Sequence, residues 1–349
     1  MVTIKDLSAL AKVSPTTVSN VLHGHTNKMS PETLERVQLA IEQTHYVPNM
    51  GGRLLAKHGS RIIGVITTYA RRTELIAASS PYYSEIIGSL ENEIRMSGYY
   101  MMLYTSADVE ESMDLARTWD VEGLVVLGSS ERDAETFFRE VQVPVMFIDT
   151  YGTGIPNVGV DDRGAMRTLV EHLIALGHRR IAFLTDSTVS EGIDRARYQG
   201  YTDALARHGI ATSADDVITI SYQDSLRRRE LRDLRRSGFN GYTALCFPSD
   251  LYAIDAIGCL APEGVSIPED ISITGFDGNY LAYLSLPRLT TVSQDLDLKG
   301  KMAVESLMKQ IEAGEQQPVH IELPTYLVNG GSANAVAAQR PAVPKHPKP

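Results

Sequence analysis

The sequence predicts an α/β protein, in which a small three-helix head precedes a larger body of parallel sheets covered by helices on both faces. From Arg61 onward nine short apolar runs alternate with helical segments, at 62–67, 99–104, 123–127, 143–148, 158–160, 181–184, 217–220, 244–247 and 271–274. Strands that are apolar along their whole length belong to sheets buried on both faces, and nine of them exceed one sheet. The first 48 residues instead hold three amphipathic segments, each opened by a capping signal. Charge divides the same way. Residues 1–60 carry six Lys/Arg and four Asp/Glu, a balance of +2 on a chain of net charge −10, which leaves −12 on the remainder. A basic head on an acidic body fits a nucleic-acid contact confined to the head.

The head is read element by element. Thr3 precedes Ile4, Leu7, Leu10 and Ala11 on one face, and Asp6 stands at the reciprocal position of a capping box. Ser14 and Pro15 supply a cap and a first-turn proline for a second helix. That helix turns Val18, Val21 and Leu22 inward and Thr16, Thr17, Ser19, Asn20 and His23 outward. Ser30-Pro31-Glu32 repeats the signal before Leu34, Val37, Ala40 and Ile41. Helix pattern alone fits a generic three-helix domain with a solvated polar face as well as a DNA reader.

Four motifs in order distinguish the two. Thr3-Ile4-Lys5-Asp6, Val13-Ser14-Pro15-Thr16-Thr17-Val18-Ser19-Asn20-Val21-Leu22, Ser30-Pro31-Glu32-Thr33 and Tyr46-Val47-Pro48-Asn49 strongly resemble the lactose/galactose repressor (LacI/GalR) family of transcriptional regulators. The resemblance implies a helix-turn-helix domain over 1–48 whose second helix enters the major groove. Pro15, Thr16 and Asn20 would then read base edges, while Ser14, Thr17, Ser19 and His23 would sit near phosphates. Many relatives have Arg where Asn20 stands. Asn pairs best with adenine, so an adenine is expected at that half-site position. Residues 49–60 align with the family's hinge helix, with Asn49, Gly52 and Leu55 at its minor-groove positions and Leu55 as the apolar wedge. Two adjacent glycines, Gly51 and Gly52, weaken that helix by roughly 1 kcal/mol each against Ala. A plain Gly linker is the alternative.

Through the body, Val170-Glu171-His172-Leu173, Leu176-Gly177-His178-Arg179-Arg180-Ile181, Arg197-Tyr198-Gln199-Gly200-Tyr201, Gly275-Phe276-Asp277 and Pro287-Arg288-Leu289-Thr290-Thr291-Val292 continue the resemblance to about residue 328. It implies that 61–331 forms an effector-binding and dimerisation domain of two flavodoxin-like lobes, built like a periplasmic binding protein. Lobe 1 would comprise about 61–160 and 293–320, lobe 2 about 161–292 and 321–331. Ligands in such folds bind at the carboxyl ends of the strands. Carried over by position, Arg197 and Asp277 form a charged clamp, Asp149 and Ser249 are further cleft residues, Tyr222 stacks on the ligand, and Tyr82 and Tyr83 line the other lobe. Carboxylate, guanidinium and aromatic faces together suit a polyol, so a sugar is the expected effector.

Three segments are read without a functional role. The arginine-rich run 227–236, with Leu231 and Leu234 inward, reads as a solvated helix face. The Ala- and Pro-rich tail 332–349 lacks leucine heptads and is expected to be disordered, leaving a homodimer on a palindromic operator. Cys246 and Cys259 have neither metal-ligand spacing nor disulfide density and read as buried hydrophobes.

Gly152-Thr153-Gly154 lacks the third glycine of a dinucleotide loop. No Gly-x-Ser-x-Gly elbow, phosphate-loop Lys or metal-binding His pair occurs, which argues against an enzyme, a cofactor or a metal. No apolar stretch of about 18 residues and no signal-like N-terminus is present, so no membrane association and a cytoplasmic location are expected, against an exported solute-binding protein. The reading is a repressor controlled by a small effector. A purine or other metabolite acting as corepressor, or a protein partner in place of the small effector, stays open.

Overall fold

The computed structural model describes residues 2–22, 26, 29–46, 59–68, 80–106, 108–186 and 189–336, and the chain divides into two compact units, Met1–Ser60 and Arg61–Pro349. In the first, α1 (Ile4–Ala11), α2 (Pro15–Leu22) and α3 (Pro31–Thr44) enclose a core of Leu7, Ala11, Val18, Val37 and Ala40. Leu10, expected to join that face, is 50 % exposed. The caps are those the residue types dictate. Thr3 and Asp6 close a reciprocal capping box, Ser14 Oγ accepts from the Thr17 amide at 3.0 Å, and Ser30 accepts from the Thr33 amide.

The second unit contains two six-stranded sheets. The first runs β11 (His320–Leu323), β5 (Asn157–Val160), β4 (Val145–Ile148), β3 (Gly123–Leu127), β1 (Ile62–Thr67), β2 (Tyr100–Thr105), all parallel. The second runs β12 (Thr325–Val328), β10 (Thr290–Gln294), β9 (Ser272–Asp277), β8 (Ala244–Cys246), β6 (Ile181–Thr185), β7 (Val217–Thr219). It is parallel except for β12, which runs antiparallel to β10. Central strands β3, β4, β6 and β9 are buried at every residue, whereas the edge strand β2 alternates between half-buried and exposed. Their continuous apolar runs have that cause.

Helices cover both faces. The first lobe carries α4 (Pro81–Met96), α5 (Val109–Thr118), α6 (Glu131–Glu140) and α12 (Leu296–Ala313). The second carries α7 (Asp162–Ala175), α8 (Gly192–Arg207), α9 (Asp224–Arg236), α10 (Asp250–Leu260) and α11 (Tyr280–Leu284). The chain passes between lobes after β5, after β10 and between β11 and β12. The last passage falls at Pro324, so 321–323 belong to lobe 1, and β10 keeps Ser293 and Gln294 in lobe 2. Among the described residues no helix is long and apolar enough to cross a membrane.

Two expectations are corrected. The tail is ordered at its start: Ser332 is fully buried, its hydroxyl donates to the Ile273 carbonyl at 2.5 Å and accepts from the Thr290 amide at 2.8 Å. The Asn334 carbonyl accepts from Nε2 of buried His178 at 3.0 Å. Residues 337–349 lie outside the described residues. Nor is the arginine-rich helix solvated throughout. Arg227 sits one turn before Leu231 on the same face and is buried, with Asp255 at 2.8 Å, Asp224 at 2.6 Å and the Tyr252 ring 4.9 Å away. The other arginines of the run are more exposed, as expected of a charged helix face. Cys246 and Cys259 are both buried, and burial pushes the Cys246 thiol up to about 12, out of reactive range.

Ser332→Ala leaves a buried amide and a buried carbonyl without their partner and lowers stability by about 1–3 kcal/mol in urea unfolding. A free tail would give no change.

Candidate functional site

In the first unit, α2 presents Pro15, Thr16 and Asn20 as exposed residues and Thr17 and Ser19 half-buried beside buried Val18. Ser14 is exposed, but its hydroxyl is engaged in the cap and lies 2.8 Å from Thr17 Oγ1. Three exposed polar or small groups on a capped helix form a face whose chemistry suits base edges. His23, Asn49, Gly52 and Leu55 lie outside the described residues.

In the second unit, a cavity of about 530 Å³ opens where the carboxyl ends of both sheets converge. All seven residues assigned to an effector site line it: Tyr82, Tyr83 and Asp149 from lobe 1, and Arg197, Tyr222, Ser249 and Asp277 from lobe 2. Each is placed by its element. Asp149 follows the last residue of β4, Asp277 ends β9, Ser249 caps α10 through the Leu251 amide, and the two tyrosines ride the first turn of α4 with rings 5.5 Å apart, edge to face. Asp149 and Asp277 hold φ of 53° and 128°, conformations that L residues adopt at a cost of about 1–3 kcal/mol and that recur at ligand sites.

The charged groups form one buried series. Arg197 donates to Asp162 Oδ1 at 2.7 Å and to the Pro248 carbonyl, lies 3.6 Å from Asp277 Oδ1, and stacks its guanidinium 3.7 Å from the Phe276 ring centroid. Asp162 also accepts from Tyr151. Gln294 donates to Asp277 at 3.0 Å, and Lys299 Nζ reaches Gln294 Oε1 at 2.6 Å and both oxygens of Asp149 at 2.6 and 2.8 Å. Tyr82 donates to Asp149 from the cavity side. Asp250, fully buried, accepts from the Gly278 and Asn279 amides and from Thr291, and so fixes the turn that follows Asp277.

Burial opposes the charge on Arg197, but Asp162 and Asp277 outweigh it and hold the guanidinium firmly protonated. Burial drives the Asp277 carboxyl up to about 8 despite the neighbouring Arg197, and raises Asp250 to about 6. The cavity therefore offers hydroxyl and carboxyl acceptors, one fixed guanidinium and aromatic faces, a set that binds hydroxyl-rich molecules by orientation rather than by net charge.

Sequence reasoning missed Lys299, Gln294, Asp162, Asp250 and Tyr151. Lys299 carried a signal: it interrupts an apolar stripe at helical spacing, from Leu296 through Gly300, Ala303 and Val304 to Leu307, where only a partnered charge is tolerated.

Comparison with known proteins divides as the fold does. Residues 3–49 match the model for bacterial regulatory proteins of the lacI family, and residues 170–333 that for a periplasmic binding protein-like domain. The HTH-type transcriptional repressor PurR of Glaesserella parasuis serovar 5 is 28 % identical over 331 residues, 91 % of this chain and 92 % of its own length. The lac repressor dimer bound to operator and the anti-inducer ONPF aligns over 96 % of this chain and 99 % of its own, with 26 % identity and a TM-score of 0.82. The complex of the transcriptional regulator CelR with cellobiose aligns over 95 % and 100 %, with 25 % identity and a TM-score of 0.69.

At Asp277 the folded chain binds a proton that the unfolded chain has released above about pH 4. Its stabilisation is full at acidic pH and is lost as pH rises to about 8, at no more than about 1.4 kcal/mol per unit. Asp277→Asn keeps the neutral shape, so its Tm gains on wild type steadily from pH 5 to pH 8 and holds a constant lead above that. Parallel curves would show that Asp277 is ionised throughout.

Proposed function

This chain belongs to the lacI family of bacterial regulatory proteins, and we infer that it is a transcriptional repressor whose grip on a palindromic operator is set by a sugar bound between the two lobes. One observation carries the sugar reading: seven residues from six separate segments converge on a single cavity at the carboxyl ends of both sheets. Carboxyl and hydroxyl acceptors, the Arg197 fork and tyrosine rings match vicinal hydroxyls and the apolar face of a pyranose or furanose. The CelR structure, a cellobiose complex, is consistent with that class. On this reading the protein acts in the cytoplasm and catalyses no reaction, the cleft serving only to bind.

The operator contact is assigned to α2. Pro15, Thr16 and Asn20 read bases, and Ser14, Thr17, Ser19 and His23 meet the backbone; Asn49, Gly52 and Leu55 act in the minor groove. Assembly is assigned to lobe 2, where Tyr280, Tyr283, Leu284 and Leu286 are 53–89 % exposed on and just after α11. Such an apolar surface fits a homodimer interface.

Selection of the full chain on random duplexes at low salt is expected to return a palindrome with adenine facing Asn20; a fixed guanine contradicts that base assignment, and no enrichment contradicts the DNA role. Screening the selected duplex in gel shifts against neutral sugars and nucleobases then names the effector, with a nucleobase overturning the sugar reading. Tyr222→Ala is expected to weaken the response to the active sugar about tenfold, or about 1.4 kcal/mol, and to leave sugar-free operator affinity unchanged. Leu286→Asp is expected to sediment as a monomer; a dimer would place the interface elsewhere.

A further inference from the structure

Lys299 stands on α12 in lobe 1, fully buried at a position where the stripe around it asks for an apolar side chain. Its ammonium has three donors, and three oxygens take them: Asp149 Oδ1 and Oδ2 in its own lobe, and Gln294 Oε1 at the end of the lobe 2 strand β10. The Tyr82 ring centroid lies 5.6 Å from Nζ. An ammonium only donates, so Gln294 must turn its oxygen to Lys299 and its amide nitrogen to Asp277, which it meets at 3.0 Å. Asp149 and Asp277 both line the cavity, one in each lobe. Lys299 does not line it.

Burying such a cation gives little or no net stability over a well-packed apolar residue, so packing alone does not account for it. The bridge does connect a cavity-lining carboxyl group of each lobe across the passage from β10 to α12. A side-chain chain of this kind has a fixed length. At the lobe opening of this structure Asp149, Lys299, Gln294 and Asp277 are all in hydrogen-bond contact at once.

We propose that Lys299 is a positioning residue for the cleft: with Gln294 it latches the two cavity-lining carboxyl groups to each other across the hinge, so that lobe opening and the placement of Asp149 and Asp277 are set together. Calling that cleft the effector site rests on the function proposed above. The latch itself does not, and the experiment needs neither operator nor effector.

The test uses the full chain with spin labels at Gln142→Cys in lobe 1 and Thr212→Cys in lobe 2, both exposed sites, diluted with unlabelled chain; Cys246 and Cys259 are buried. Inter-label distances are read by dipolar spectroscopy in the parent and in three variants. Lys299→Met removes the latch, Asp149→Asn with Lys299→Met removes it without stranding a buried charge, and Gln294→Met cuts the bridge while keeping the ion pair. The parent is expected to give one narrow distribution, and each variant that folds to shift it or at least double its width. A merely structural ion pair would lower Tm without moving the distances. Superimposable distributions in Gln294→Met and in the double variant would overturn the proposal, and Gln294→Met decides should the lysine variants fail to fold.

Discussion

Arg197 is buried against Asp162, Asp277, the Pro248 carbonyl and the face of Phe276, and the interior of the second unit is organised around that placement. Removing a guanidinium from water costs several kcal/mol, recovered only where its donors are met. Each group that meets it belongs to a different segment: Asp162 opens α7 just after the first passage between lobes, Pro248 follows β8, and Asp277 ends β9. One arginine therefore pins three strand ends or helix starts, and the cavity inherits its floor from them. Removing it would strand two buried carboxyls, so Arg197 both braces the fold and lines the cavity.

From that point the series runs through Asp277 and Gln294 to Lys299, Asp149 and Tyr82, and on the other side through Asp162 to Tyr151. It crosses between lobes twice, beside two of the three chain passages. A ligand that takes a hydrogen bond from any member changes the terms on which the lobes meet, which is the physical content of allosteric control: differential contacts in two arrangements, not distance. The raised proton affinity of Asp277 follows from the same burial that makes the series rigid.

Much of this was legible in the residues. Strand positions could be read because a strand buried on both faces must be largely apolar, and β1, β3 and β6 are, but for a terminal threonine in β1 and β6. The head's helices could be read because Thr3, Ser14 and Ser30 are capping residues followed by helical spacing. The seven cleft residues came from a resemblance, position by position, and the cavity unites them. What was missed has a common cause. Lys299 pairs with Asp149 150 residues away, Asp162 with Arg197 35 away and Arg227 with Asp255 28 away, and local pattern assigns charged residues to the surface by default. Ser332 escaped for a related reason: a tail rich in Ala carries no periodicity, yet its hydroxyl completes two backbone bonds of the second sheet.

The central claim is that a molecule in the cleft and the operator on the head act on one equilibrium. Thermodynamic linkage makes this testable in one titration pair: the affinity of the full chain for the active compound, measured by calorimetry without operator and with saturating operator duplex. The account predicts that the two values differ by the same factor by which the compound shifts operator affinity, about 5- to 150-fold for a coupling of 1–3 kcal/mol. Equal affinities in the two titrations, from a compound that does bind, would mean that the cleft and the operator contact are not coupled.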